Sequence, residues 1–168
     1  SRRMACSVYG AQFLMDALYE GGYADYALEL LTATTQRSWY NMIRSGSTIS
    51  MEAWDIVYKP NLDLNHAWGA TPANTIVRKL MGVAPLSPGF DTFQIKPQLG
   101  GLTFARLKTP TIKGLVSVVY ERKAKQNLLE VIIPGGTVAM VYMPHDPQHT
   151  ALFVDGKKVA IAPQNGFF

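Results

Sequence analysis

The sequence predicts a fold class of α then β, with helices first and strands after them. Three observations carry this. Apolar residues recur at helical spacing before residue 46, and short alternating runs parted by Gly and Pro fill the second half. Composition also changes between the two. Residues 1–84 hold 7 Lys/Arg and 7 Asp/Glu, whereas residues 85–168 hold 9 and 5, so the second part carries the whole formal charge of +4. All three Trp fall in the first part and eight of the ten Pro in the second. The run Ala84-Pro85-Leu86-Ser87-Pro88-Gly89 is the expected boundary, giving domains 1–84 and 85–168.

In order along the chain, Met4, Val8, Ala11, Met15 and Leu18 predict a first helix, stopped by Gly21-Gly22. A second follows over Tyr26-Ala27-Leu28-Glu29-Leu30-Leu31, with Asp25 placed to cap or favour its start. Trp39, Tyr40 and Ile43 predict a short third helix that ends at Ser45-Gly46. Residues 46–64 have no clear period. A last helix is expected from Asn65 or His66 to Gly82, kinked or restarted at Pro72.

Strands are predicted over Phe93-Gln94-Ile95-Lys96, then over residues 116–122, 128–133 and 138–142. Residues 152–159 form a hairpin about Asp155-Gly156, a strong short-range turn signal. Strands this short, spaced by Gly/Pro turns, predict an antiparallel β-sandwich. Alternation should place most of its aromatics, Tyr120 and Tyr142 among them, in the core.

Several function classes drop out. At 168 residues and 48% hydrophobic, the chain is too apolar to be disordered and long enough to build a core. One cysteine, Cys6, excludes a disulfide framework and a cysteine zinc site. Cys6 is expected as a small core residue on the apolar face of the first helix. No apolar run reaches the roughly 18 residues of a membrane-spanning helix. The start, Ser1-Arg2-Arg3-Met4, lacks a signal-peptide core, and a chain without Met at position 1 is expected to be part of a longer protein whose compartment is left open.

The basic residues are spread singly without interleaved aromatics, so no nucleic-acid partner is expected. The Gly pairs at 100–101 and 135–136 precede no helix, so no phosphate loop and no cofactor is expected. Pro144 and Pro147 prevent His145 and His149 from forming a helical metal pair, so no metal site is expected either.

Chemistry is concentrated between Ser47 and Trp68. Glu52 and Asp55 sit among Met51, Trp54, Ile56 and Val57. A carboxylate beside large apolar groups tends toward a raised pKa and suits proton transfer. An extended segment would put Glu52 and Trp54 on one side, an acid next to the kind of aromatic face on which a sugar ring stacks. From residue types alone Asp55 and Trp39 read as structural, while for Glu52 and His66 the structural and functional readings are evenly balanced.

Met51-Glu52-Ala53-Trp54-Asp55, followed by Asn65-His66-Ala67-Trp68-Gly69-Ala70, resembles the catalytic region of bacterial α-L-rhamnosidases, the inverting glycosidases of glycoside hydrolase family 78. Arg78-Lys79-Leu80-Met81-Gly82-Val83 and Pro85-Leu86-Ser87-Pro88-Gly89-Phe90 are similar to that family's exit from its catalytic domain. Phe93-Gln94-Ile95-Lys96-Pro97 and Pro110-Thr111-Ile112-Lys113-Gly114 resemble the entry to its C-terminal sandwich.

The resemblance implies the last helices of an (α/α)6 barrel followed by a β-sandwich. It implies release of terminal α-L-rhamnose, with rhamnose-containing glycosides or polysaccharides as partners. By motif position Glu52 resembles the general base and His66 a ligand of sugar hydroxyls, with Trp54 and Asn65 as supports of the substrate site. The family's general acid lies earlier in its catalytic domain, and Asp16, Glu20, Asp25 and Glu29 read as ordinary helix charges. The chain alone is therefore expected to be inactive and to need the earlier part of that domain. A broken barrel would leave apolar helix faces open, so self-association, or partial disorder in the first 45 residues, is also expected. Two other readings stay open: a trehalase-like or glucoamylase-like hydrolase on the same barrel, and a non-catalytic carbohydrate-binding or interaction β-sandwich.

Overall fold

The helical part begins with a turn. Ser7 Oγ accepts the Gly10 N–H at 3.0 Å, and the turn it closes feeds helix α1 (Ala11–Glu20). The expected first helix therefore starts seven residues later than Met4. Its inward face still runs on through the turn, because Met4, Val8, Ala11 and Met15 are all buried. Cys6 consequently precedes the helix and is half-buried, not a core residue on its face. These elements belong to a computed structural model, which describes residues 3–148 and 150–168; His149 lies outside the described residues.

α1 ends in a Schellman arrangement. Tyr23 N–H reaches Leu18 O at 2.8 Å and Gly22 N–H reaches Tyr19 O at 3.2 Å, with Gly22 at φ +80° as the left-handed residue. Helix α2 (Ala24–Leu31) follows, with Asp25 in its first turn, where a negative charge favours the helix dipole. Helix α3 (Trp39–Arg44) is capped by Ser38, whose side chain accepts the Asn41 N–H. Three helices thus lie within the first 45 residues.

The last expected helix is three short pieces. A 3-10 turn spans Ala67–Ala70, α4 spans Thr71–Thr75 and a π-helical turn spans Ile76–Leu80. Pro72 lies in the first turn of α4, where its missing N–H costs nothing, so the chain restarts there. α1 packs on α2 and on α4. Burial pushes the Tyr19 hydroxyl in this core up to about 12.

The chain divides into two compact units, passing from one to the other between Ile76 and Val77. The second holds β1 (Val83–Pro85), β2 (Thr92–Ile95), β3 (Phe104–Thr111), β4 (Gly114–Arg122), β5 (Asn127–Ile132), β6 (Val138–Val141), β7 (Leu152–Val154) and β8 (Lys157–Val159). β3, β4 and β5 form an antiparallel meander with β4 in the middle, and Val116, Val118 and Tyr120 are buried on it at period two. A separate sheet has the order β1-β2-β6, and β7 pairs only with β8. The fold is a helical region followed by β-sheet regions.

Two expectations need correction. The strands are not all antiparallel, since β2 and β6 run parallel, with Thr92 opposite Val138 and Ile95 opposite Val141. A parallel pair needs a long crossover, and the β3–β5 meander supplies it. The aromatics are not mostly in the core either. Phe93 and Tyr120 are buried, but Phe104 and Phe153 are exposed, while Tyr142 and Phe167 are half-buried with their rings edge to face. Period two fixes which residues share a face, not whether anything covers that face. Two strands, β1 and β3, had not been expected.

Candidate active site

The stretch around Glu52 has no repetitive structure, so side chains fix its path. Asn41 is buried on α3 and donates from Nδ2 to the Trp54 carbonyl at 3.0 Å and to Asp55 Oδ2 at 2.7 Å. Arg44 Nη2 donates to Asn41 Oδ1 at 2.6 Å, which orients the amide. Trp39 and Trp54 meet edge to face at 5.1 Å. Their indole N–H groups reach Gly69 O at 2.9 Å and Cys6 O at 2.8 Å. The two buried tryptophans thus tie both flanks of the Glu52–His66 region to the helical core.

Asn41→Ala should cost about 1–3 kcal/mol, because it strands polar groups that the amide had satisfied. It also removes the largest influence holding the Asp55 carboxyl below its usual range; the Val57 N–H is the second. Asp55's contribution to stability is present above the ordinary carboxyl range and is lost as pH falls through its lowered value. Urea denaturation of the variant should therefore show a loss that is larger at neutral than at strongly acidic pH. An equal loss at both would remove the Asp55 part of the account.

Glu52 and Asp63 are paired through the backbone. Glu52 N–H donates to Asp63 O at 2.9 Å, and Glu52 Oε2 accepts the Asp63 N–H at 3.1 Å. Lys59 Nζ donates to Glu52 Oε1. His66 N–H donates to Ser50 O at 2.8 Å, and Ser50 Oγ returns a bond to His66 O at 2.8 Å. His66 Nδ1 lies 3.3 Å from Asp63 Oδ2. The side-chain atoms of Glu52, Asp63 and His66 come within 4.8 Å of one another. The geometry gives the positive charge beside this group to the Lys59 ammonium, and no residue here is assigned as a metal ligand.

Two expectations about Glu52 change. Its carboxyl is held below the usual range, not raised: Lys59's hydrogen bond is the largest cause, followed by the Asp63 N–H, and both outweigh desolvation. Neighbouring charge and donors win because the carboxylate is not enclosed by the apolar residues beside it in sequence. The chain also bends through residues 52–54, so strand alternation does not apply. Trp54 is buried at 3% exposure, whereas the Glu52 side chain keeps 15%. Trp54 is thus a core side chain, packed on Trp39 and bound to Cys6 O. Asn65 is exposed on the loop beside His66.

The exposed aromatic group beside Glu52 and His66 is Trp68. Its indole N–H lies 3.3 Å from Glu52 O, its ring lies 4.0 Å from His66, and Tyr9 packs on it at 5.1 Å. Sequence reasoning assigned no role to Trp68, Lys59 or Asp63. Trp68 stood within a quoted motif, but Lys59 and Asp63 meet Glu52 only because the intervening loop reverses. Asp55 and Trp39 hold the structural roles expected of them. Cys6 lends its carbonyl to Trp54, and burial pushes its thiol up, away from nucleophilic use.

Comparison with known proteins fits this arrangement. Residues 1–80 match the family model of the bacterial alpha-L-rhamnosidase 6 hairpin glycosidase domain, and residues 82–160 match that of the bacterial alpha-L-rhamnosidase C-terminal domain. An alpha-L-rhamnosidase of Formosa agariphila is 32% identical over 146 residues, which is 82% of this chain and 16% of that protein. The solved alpha-L-rhamnosidase from Dictyoglumus thermophilum superposes with a TM-score of 0.88 at 19% identity, over 98% of this chain and 20% of that one. The Streptomyces avermitilis alpha-L-rhamnosidase, solved with L-rhamnose, gives 0.83 at 25% identity, over 98% and 17%. The chain thus spans about a sixth of the length of the Formosa relative. Matched along nearly its whole length by these two domain models, the chain belongs to the bacterial alpha-L-rhamnosidase family.

Proposed function

We propose that this chain is the C-terminal part of an inverting glycosidase that releases terminal α-L-rhamnose from rhamnosides, with Glu52 as general base. In this reading residues 1–84 are the last helices of an (α/α)6 barrel and residues 85–168 are its β-sandwich. The observation that carries the base assignment is the setting of Glu52. It is a partly exposed carboxylate, kept ionised by Lys59 and the Asp63 N–H, with His66 and Trp68 beside it.

An ionised carboxylate can take a proton from the water that attacks the anomeric carbon. His66, braced by Ser50 and Asp63, is our candidate for hydrogen-bonding sugar hydroxyls, with Asn65 and Trp54 proposed as supports of the substrate site. A second carboxyl must protonate the departing oxygen from the opposite face, about 6.5–9.5 Å away. Asp63 is closer than that and turned to His66, and Asp55 is bound to Asn41. We therefore assign the general acid to a part of the enzyme outside this chain.

The complete enzyme, given an aryl α-L-rhamnoside, should release the β anomer first, read by proton NMR before mutarotation. First release of the α anomer would overturn inversion. The purified 168-residue chain should release no rhamnose. Measurable release would mean that the acid lies within it.

A further inference from the structure

Glu52 is held by two donors of different kinds. The Asp63 N–H on Oε2 belongs to the backbone pairing that carries the loop. The Lys59 ammonium on Oε1 is a side chain with 42% exposure, and nothing in the backbone pairing requires it. Its position is nevertheless closely prepared. The loop that bears it is anchored at its start by Asn41 on Asp55 and at its end by Glu52 on Asp63. In the middle, Arg37 lies 5.5 Å from the Tyr58 ring centroid, while its own guanidinium donates to Cys6 O at 2.8 Å. The turn closes through Val57 N–H on Asp55 Oδ1 and Tyr58 N–H on Asp55 O. Pro60 disfavours helical backbone at Lys59, so the turn ends there, and Lys59 N–H on Ile56 O fixes its exit.

Resting on the reading of Glu52 as base, we propose that Lys59 is a positioning residue for the reaction, its ammonium fixing the aim and the charge of the Glu52 carboxylate. The charged and titratable groups that face Glu52 are Lys59, Asp63 and His66. Lys59 is the group among them that donates to Glu52 through a side chain. Removing it leaves Glu52 the Asp63 N–H and the carboxylate of Asp63 nearby, both still in place. The proton then binds Glu52 more readily, and the base is lost at a higher pH than before.

The test uses Lys59→Met, which keeps the stem and removes the charge, and Lys59→Arg, which keeps the charge. Two readouts are needed, both in the complete enzyme: the pH profile of kcat/KM for an aryl α-L-rhamnoside, and the titration of the Glu52 side-chain carboxyl carbon by NMR. For Lys59→Met both the acid limb and the carboxyl titration should shift upward, and kcat on the plateau should fall as the carboxylate loses its aim. Lys59→Arg should restore both. If the carboxyl titration shifts and the acid limb stays, Glu52 is not the base, and the proposal falls with that reading. If neither shifts, Lys59 does not act on Glu52, while the base reading is untouched. A loss equal at every pH and not restored by Arg would make Lys59 merely structural and overturn the proposal.

Discussion

Glu52→Gln in the complete enzyme is expected to lower kcat by about 10²- to 10⁴-fold, the range that general base catalysis supplies, with a much smaller change in KM. Glutamine keeps the size of the side chain, and its carbonyl oxygen can still accept the Asp63 N–H, which lies 3.1 Å from Oε2. The backbone pair between residues 52 and 63 needs no side chain. The loop therefore keeps its backbone anchor, while the basic carboxylate and its bond from Lys59 on Oε1 are lost. Steady-state kinetics on an aryl α-L-rhamnoside separate the two constants. Near-normal turnover would remove Glu52 from the base role. A large rise in KM at unchanged kcat would make it a binding residue instead.

The largest effect on stability is expected at Gly82. Its φ is +71°, and a Cβ there would lie 2.0 Å from Lys96 O and 2.2 Å from Lys96 C. These are backbone atoms at the end of β2, and Lys96 N–H donates to Gly82 O at 3.2 Å. No side-chain rotation relieves such an overlap. Gly82→Ala must part the chain where Val83 pairs with Ile95, both of which are buried. Left-handed strain and the overlap together place the cost at about 3–5 kcal/mol, among the largest for single substitutions. Gly156→Ala is the matching control: its φ is +76°, but nothing stands within 4 Å of the new Cβ. It should lose only the conformational part, about 1–2 kcal/mol. Urea midpoints for the two variants measure the difference, and equal midpoints would refute the overlap argument.

Gly82 also illustrates how far local pattern reaches. As a glycine after an apolar helical run it reads as a helix stop. The helical turn in fact ends at Leu80, and the glycine is needed because β2 crosses its backbone. The same limit applies at Glu52. Its apolar sequence neighbours suggested a carboxyl raised by burial. In space its neighbours are Lys59 and the Asp63 amide, which lower it. Sequence adjacency does not give proximity in a loop that folds back on itself.

What sequence alone determined is whatever rests on local geometry. The helix over 26–31 and the short helix at Trp39, Tyr40 and Ile43 came from spacing and composition, and the hairpin at Asp155-Gly156 from a turn that needs two residues at positive φ, here +48° and +76°. The ordered motifs from Glu52 to Gly114 pointed to the family, because a motif is carried by residue identity and order. Tertiary structure alone decided the rest. It set β6 parallel to β2, left Phe104 and Phe153 uncovered, buried Trp54 and brought Lys59, Asp63 and Trp68 to Glu52. Each of these depends on segments whose separation along the chain carries no periodic signal, so only packing within each unit specifies it; around Glu52 that packing is fixed by Asn41 and the Trp39–Trp54 pair.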